Sequence, residues 1–131
     1  MHQAKGTFDI QRTPEPAADL GDGVHAMRLR FDKAFHGPLT ASSVVHMLGV
    51  MDPATGSGGY VALERVTGTL DGHTGSFMLQ HGSLMDHGTP LQSIKVIPGS
   101  GTDALVGLRG SMSIDIVDGA HFYTFDYSLS A

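Results

Sequence analysis

Glycine and proline recur so often along this chain that long helices have no room to form. There are 18 glycines and six prolines in 131 residues, and the longest stretches free of both are Val24 to His36 and Ala120 to Ala131. A helical protein needs several long runs of 3.6 period, and these are absent. Between the punctuation marks the apolar residues recur with period 2. Met27, Leu29, Phe31 and Phe35 alternate with Arg28, Arg30, Asp32 and His36. Met112, Ile114 and Ile116 alternate with Ser111, Ser113 and Asp115, and Tyr123, Phe125, Tyr127 and Leu129 with Thr124, Asp126 and Ser128. This is the pattern of strands with unlike faces.

Eight strands are predicted, over residues 5–13, 25–36, 40–51, 59–70, 73–85, 90–97, 111–117 and 121–130. Asp71-Gly72 and Asp118-Gly119 each lie between two such runs, the strongest short-range hairpin signal. Asp86-His87-Gly88-Thr89-Pro90 reads as a slightly longer turn, Asp52 to Gly59 as a flexible loop, and Thr13 to Gly23 as one exposed loop. Eight antiparallel strands with short connections predict an all-β, eight-stranded antiparallel up-and-down β-barrel over residues 1–131, a closure that leaves no raw edge. A sandwich is the alternative. A barrel of about eight strands either fills with side chains or holds one small ligand.

Composition removes several function classes. The formal net charge is -5, from 8 Lys plus Arg against 13 Asp plus Glu, whereas a nucleic-acid binder needs a basic stripe. There is no cysteine, so disulfides, thiolate chemistry and Cys-ligated metals are excluded. No apolar leader and no window approaching about 18 apolar residues is present, so a cytoplasmic protein with no membrane partner is expected.

Three stretches carry a family resemblance. They are Leu63 to His81 (LERVTGTLDGHTGSFMLQH), Pro98 to Gly110 (PGSGTDALVGLRG) and His121 to Tyr127 (HFYTFDY). In this order and spacing the chain resembles the bacterial DUF3224 family of uncharacterised proteins. The resemblance implies the allene-oxide-cyclase-like barrel, shared in outline with plant dirigent proteins. Name-giving members of that superfamily steer cyclisation or coupling of a reactive apolar intermediate, but fold alone does not transfer such chemistry.

Glu64, one of two glutamates, stands in the apolar run Tyr60 to Val66. If Asp71-Gly72 is a two-residue turn, Glu64 faces Leu79, and His81 is its diagonal neighbour on the same face. Tyr60, Ala62, Val66 and Phe77 share that face. An acid and an imidazole inside an apolar barrel have an acid–base use, because burial raises a carboxyl's pKa and lowers an imidazole's. A longer turn would pair Glu64 with Gln80 instead. The structural alternative is an ion pair of Glu64 with Arg65 or Arg109.

The candidate catalytic pair is therefore Glu64 and His81. Tyr60, Gln80, His46, Phe77, Leu79 and Tyr123 are the candidate pocket residues. His46 is expected as the second inward histidine. None of the eight histidines forms a His-x-His or His-x-x-x-His pair, so no metal is expected. Gly99-Ser100-Gly101-Thr102 lacks the Gly-Lys-Ser/Thr ending of a phosphate loop and reads as a glycine-rich turn. No cofactor motif is present and none is expected.

These residues point to an internal apolar pocket for a small hydrophobic molecule, with a cofactor-independent isomerase or cyclase as its catalytic form. A non-catalytic binding protein and a structural or interaction module with a packed barrel are the alternatives. The run Val44 to Met51, apolar on both faces, predicts an exterior stripe buried in a homo-oligomer, dimer or trimer.

Overall fold

Four two-residue turns set the register of half the molecule. Asp22-Gly23, Asp71-Gly72, His87-Gly88 and Asp118-Gly119 all hold both residues at positive φ, between 46° and 84°. That is the type I′ geometry, whose twist matches that of the strands it joins. The structure is a computed structural model that describes residues 1–129. Its strands are β1 (His2–Gly21), β2 (Val24–His36), β3 (Leu39–Asp52), β4 (Ser57–Leu70), β5 (His73–Asp86), β6 (Thr89–Val96), β7 (Leu108–Val117) and β8 (Ala120–Leu129). Each pairs antiparallel with the next, and β1 pairs with β8, so the sheet closes as a barrel in chain order. The eighth strand was expected to reach residue 130, which lies outside the described residues. Among the described residues no helix is long and apolar enough to cross a membrane.

Three connections differ from expectation. The segment 13–23 is not a loop: β1 runs on to Gly21 and pairs with β2 through Pro14↔Leu29 and Ala18↔Ala26, and the sheet is two-stranded only beyond Met27, where β2 leaves β3. Pairing of β1 with β8 stops at Phe8, so Pro14 and Pro16 lie on a free edge where a missing N–H removes no ladder bond. The turn after β5 is the two residues His87-Gly88, with Pro90 already paired to Met85. A 3-10 turn over Asp103–Leu105 follows β6.

The segment 97–102 stands in for a strand against the first half of β5. Ile97 N–H donates to the Met78 carbonyl and Thr102 N–H to the Ser76 carbonyl, both at 2.9 Å. The Ser76 and Met78 N–H groups donate to Thr102 Oγ1 and Ser100 Oγ at 3.0 and 2.9 Å. Hydroxyls thus replace the carbonyls of an absent neighbour strand. Gly75 allows this approach, since a Cβ there would lie 2.2 Å from the Thr102 carbonyl oxygen.

The interior has two unlike halves. In one, Leu39, Val66, Leu70, Phe77, Leu79, Leu105, Leu108, Phe125 and Tyr127 are buried against one another. Phe125 stacks between Phe77 and Tyr127, at 5.7 and 5.4 Å between ring centroids. The other half is less densely filled, and β6 and β7 share the single pair Lys95↔Ser111.

Candidate functional site

Strand parity delivers an acid to the junction of the two halves. On β4, Ala62, Glu64 and Val66 are buried while Val61, Leu63 and Arg65 are exposed. The Asp71-Gly72 turn pairs Leu70 with His73 and so carries Glu64 opposite Leu79. His81 is then the diagonal neighbour, as expected from the two-residue turn. On the other side Val45 faces Glu64, which makes Ser43 diagonal to it, and Ser43 is paired with Lys33 of β2.

The four side chains converge. His81 Nε2 lies 2.7 Å from Glu64 Oε1, and Lys33 Nζ donates to the same oxygen at 3.3 Å. Ser43 Oγ donates to Oε2 at 2.6 Å. Glu64 is fully buried, and Lys33 and His81 are nearly so. Burial pushes the Glu64 carboxyl up, but the His81 hydrogen bond, the charges of Lys33 and His81 and the Ser43 hydroxyl outweigh it and hold the group below the usual carboxylate range. Lys33 Nζ also sits 4.8 Å from the centroid of the Phe8 ring and 5.7 Å from that of Phe35. Aromatic faces of this kind favour a cation that has left water.

A hydrogen bond to an ionised carboxylate makes His81 Nε2 the protonated nitrogen, so in the neutral ring Nδ1 is the base. Nδ1 has no hydrogen-bond partner among the described residues. It is therefore not fully enclosed, because no enclosed side-chain nitrogen or oxygen there lacks a partner.

Lys33 and His81 form the floor of a cavity of about 240 Å3 in the less densely filled half of the barrel. Phe8, Ile10, Phe31, Val45, Met47 and Ala62 supply apolar wall, as do Ile114 and Ile116 of β7. Tyr60, Gln92 and His121 add polar groups, with Gln92 Nε2 donating to the Tyr60 hydroxyl at 3.0 Å. Glu64 does not line this space but stands one layer behind it. The volume is below the roughly 300–1,000 Å3 of drug-sized sites, so the space admits only a small molecule.

The other sequence-predicted residues divide. Tyr60 is at the cavity. Phe77 and Leu79 are buried in the packed half. Tyr123 is buried too, and its hydroxyl accepts from Leu39 N–H at 3.1 Å and donates to the His36 carbonyl at 3.0 Å, tying β8 to the β2–β3 turn. His46 and Gln80 face outward, which corrects their expected place inside the barrel. Odd positions of β3 face inward, so Val45 and Met47 flank an outward His46; on β5, Leu79 and His81 flank an outward Gln80. His46 Nδ1 instead lies 3.4 Å from Glu15 Oε1. The basic partner of Glu64 is Lys33, not Arg65 or Arg109. Among the described residues no three His, Asp or Glu side chains could hold a metal ion.

Lys33, Ser43 and His121 were not foreseen at the site. Lys33 had a signal. It interrupts the inward series Leu29, Phe31, Phe35 with a charge, and a charge at an apolar position needs a buried partner.

A family model for a protein of unknown function (DUF3224) matches residues 4–127. The chain belongs to the DUF3224 family. A protein with unknown function from this family in Shewanella oneidensis, known from a crystal structure, is 42% identical to it. That structure matches this one with a TM-score of 0.92, over 100% of this chain and 99% of that chain. No curated protein matches. The DUF3224 barrel is thus supported by fold and sequence together, while its chemistry has to be argued from the Lys33–Glu64–His81 cluster.

Proposed function

We propose that the open half of the barrel binds a small, largely apolar molecule and that His81, backed by Glu64, moves a proton on it, as a cofactor-independent isomerase or cyclase does. The observation that carries this reading is the cavity floor, where an imidazole buttressed by a buried carboxylate meets an apolar space. Glu64 fixes the tautomer and stabilises the imidazolium that forms when Nδ1 takes a proton. The apolar walls lower the local dielectric, which strengthens charge effects at the floor. A reaction of this class is also what the sequence resemblance to the allene-oxide-cyclase-like superfamily implies, by analogy of fold alone.

The test is a thermal-shift screen with apolar metabolites that include carbonyl-free hydrocarbons and alcohols, quinones, polyketides and oxidised fatty acids. A ligand that binds only the folded chain raises Tm by mass action. We expect at least one class to raise it by several degrees in the wild type and much less in Ala62→Leu, which fills the cavity wall. An equal response from both proteins would place the ligand elsewhere, and no response to any class would favour an interaction module.

We also propose a second copy of the chain as partner. Leu48 and Val61 are cross-strand neighbours on the outer face and are 42% and 62% exposed; His46 pairs with Leu63 beside them. Glu15 and Arg28, neighbours of opposite sign, border this patch. A two-fold axis passing between these two residues would set each copy's Glu15 towards the other's Arg28, the self-complementarity that an isologous dimer needs. Sedimentation is expected to show a dimer for the wild type and a monomer for Val61→Lys with Leu63→Lys. A monomeric wild type overturns it.

A further inference from the structure

We infer that Lys33 is an electrophile for a carbonyl oxygen, and that the ligand class of the cavity is a small uncharged carbonyl compound with an acidic α-hydrogen. This rests on the cavity being a small-molecule site. Three observations support it.

First, the Lys33 ammonium has hydrogen-bonding capacity left over. Of its three N–H bonds, one has an oxygen partner among the described residues, Glu64 Oε1 at the long distance of 3.3 Å. Glu64 is occupied on both oxygens by shorter bonds from His81 and Ser43. Nζ also lies against the Phe8 and Phe35 rings, which offer no oxygen. A nearly buried ammonium beside a cavity, with N–H groups lacking oxygen partners, is a place for an acceptor atom from outside the chain.

Second, the charges select an uncharged acceptor. Lys33 and Glu64 cancel, so in the form in which His81 can act as a base, with its ring neutral, the floor carries no net charge. A carboxylate entering this apolar space would lose its water without a counter-charge of its own, a large penalty. A ketone or aldehyde oxygen meets the N–H donors at no such cost.

Third, base and donor share one floor. Lys33 and His81 both contact Glu64 Oε1, and both line the cavity. A substrate with its carbonyl oxygen on Lys33 and its α-carbon turned to His81 Nδ1 would meet both groups at once. His81 Nδ1 takes the α-proton; the C–H electron pair becomes the C=C bond, and the C=O π pair moves onto oxygen. The resulting enolate is held by the Lys33 N–H donors. The imidazolium returns the proton to the α-carbon, or to a further carbon where the substrate is conjugated. Nothing is oxidised or reduced, and no other reactant is required. The aromatic and branched side chains around the floor suit a compact ring.

The experiment uses cyclohexanone labelled with 13C at the carbonyl, with cyclohexanecarboxylate as its charged counterpart, on wild type and Lys33→Met. Saturation-transfer NMR reads binding, the carbonyl shift reads polarisation, and α-deuterium uptake in D2O reads proton transfer. The wild type is expected to bind the ketone in preference to the carboxylate. The bound carbonyl resonance should move downfield by several ppm, and in Lys33→Met this shift should vanish and α-exchange fall roughly 100-fold, the scale of losing one oxyanion donor. If Lys33→Met fails to fold, the wild-type carbonyl shift decides the matter alone. Binding with an unmoved carbonyl resonance would overturn the role of Lys33 and leave the pocket intact. Preference for the carboxylate would overturn the uncharged class. No binding of either probe, where the thermal-shift screen finds apolar ligands without a carbonyl, would remove this inference and keep the pocket; a blank in both would remove both.

Discussion

At the scale of single residues, Glu64 links stability to chemistry. It is a buried carboxylate whose counter-charge, Lys33, is also buried. Removing one partner of such a pair leaves the other uncompensated and costs about 3–5 kcal/mol. Glu64→Gln is therefore expected to lower the urea-unfolding free energy at neutral pH by that amount, with Lys33→Met in the same chain recovering part of it. The pH dependence has a definite sign. Glu64's folded pKa is lowered, so its stabilisation is fully present above the usual carboxylate range and is lost as pH falls through the folded value. Wild-type stability should drop steeply on acidification, and the corresponding slope should be shallower in Glu64→Gln. A parallel slope would assign acid unfolding to other carboxylates. Tyr127 behaves oppositely. Burial, and then the hydrogen bond and charge of Asp71, push its hydroxyl up to about 12. Its phenolate absorbance should appear only near that pH, and earlier in Asp71→Asn. The stability this raised value brings is present below the ordinary tyrosine range and lost towards pH 12. How far the site was legible follows from distance along the chain. Glu64 and His81 share one hairpin, and a single Asp-Gly turn relates them. Lys33 lies 31 residues from Glu64, with β3 between their strands, and no local rule fixes a register over that span.

At the scale of elements, turn chemistry proved more readable than chain compactness. Asp-Gly pairs specify type I′ hairpins because both residues tolerate positive φ. Asp22-Gly23 is the same signal as Asp71-Gly72, yet it follows Pro14 and Pro16, which read as loop. The free edge of β1 makes those prolines harmless, and edge status is a tertiary fact that no local sequence carries. The segment 97–102 poses the same problem, since it borrows hydroxyls to satisfy β5. Each of these bonds is worth about 1 kcal/mol, and more where a buried donor is left without a partner. Thr102→Val is expected to destabilise the chain by about 1–3 kcal/mol. Amide hydrogen exchange should accelerate at Ser76 while remaining slow at Leu79, which pairs with Val96 of β6. Unchanged exchange at Ser76 would mean that water replaces the hydroxyl without loss.

At the scale of the whole molecule, the closed sheet is unevenly closed. Seven of the eight strand junctions are long ladders, whereas β6 and β7 meet at Lys95↔Ser111. Gln92 on one side of this junction and Ile114 and Ile116 on the other line the cavity. The seam beside the cavity is therefore also the one poorest in backbone hydrogen bonds. Local opening should begin where those bonds are fewest. Lys95 and Ser111 are directly opposed, and opposed residues of an antiparallel pair have Cα atoms about 4.5–5.5 Å apart, within disulfide range. Lys95→Cys with Ser111→Cys is expected to cross-link on oxidation and to add about 3 kcal/mol over the reduced form, the loop-closure value for a short loop. The β6 amides that face β7 should gain protection in the oxidised protein, while those on the β4–β5 ladder change little. If protection instead rises uniformly, the seam is not where the barrel opens, and ligand entry would have to be sought at the end of the barrel bordered by Phe8, Ile10 and His121.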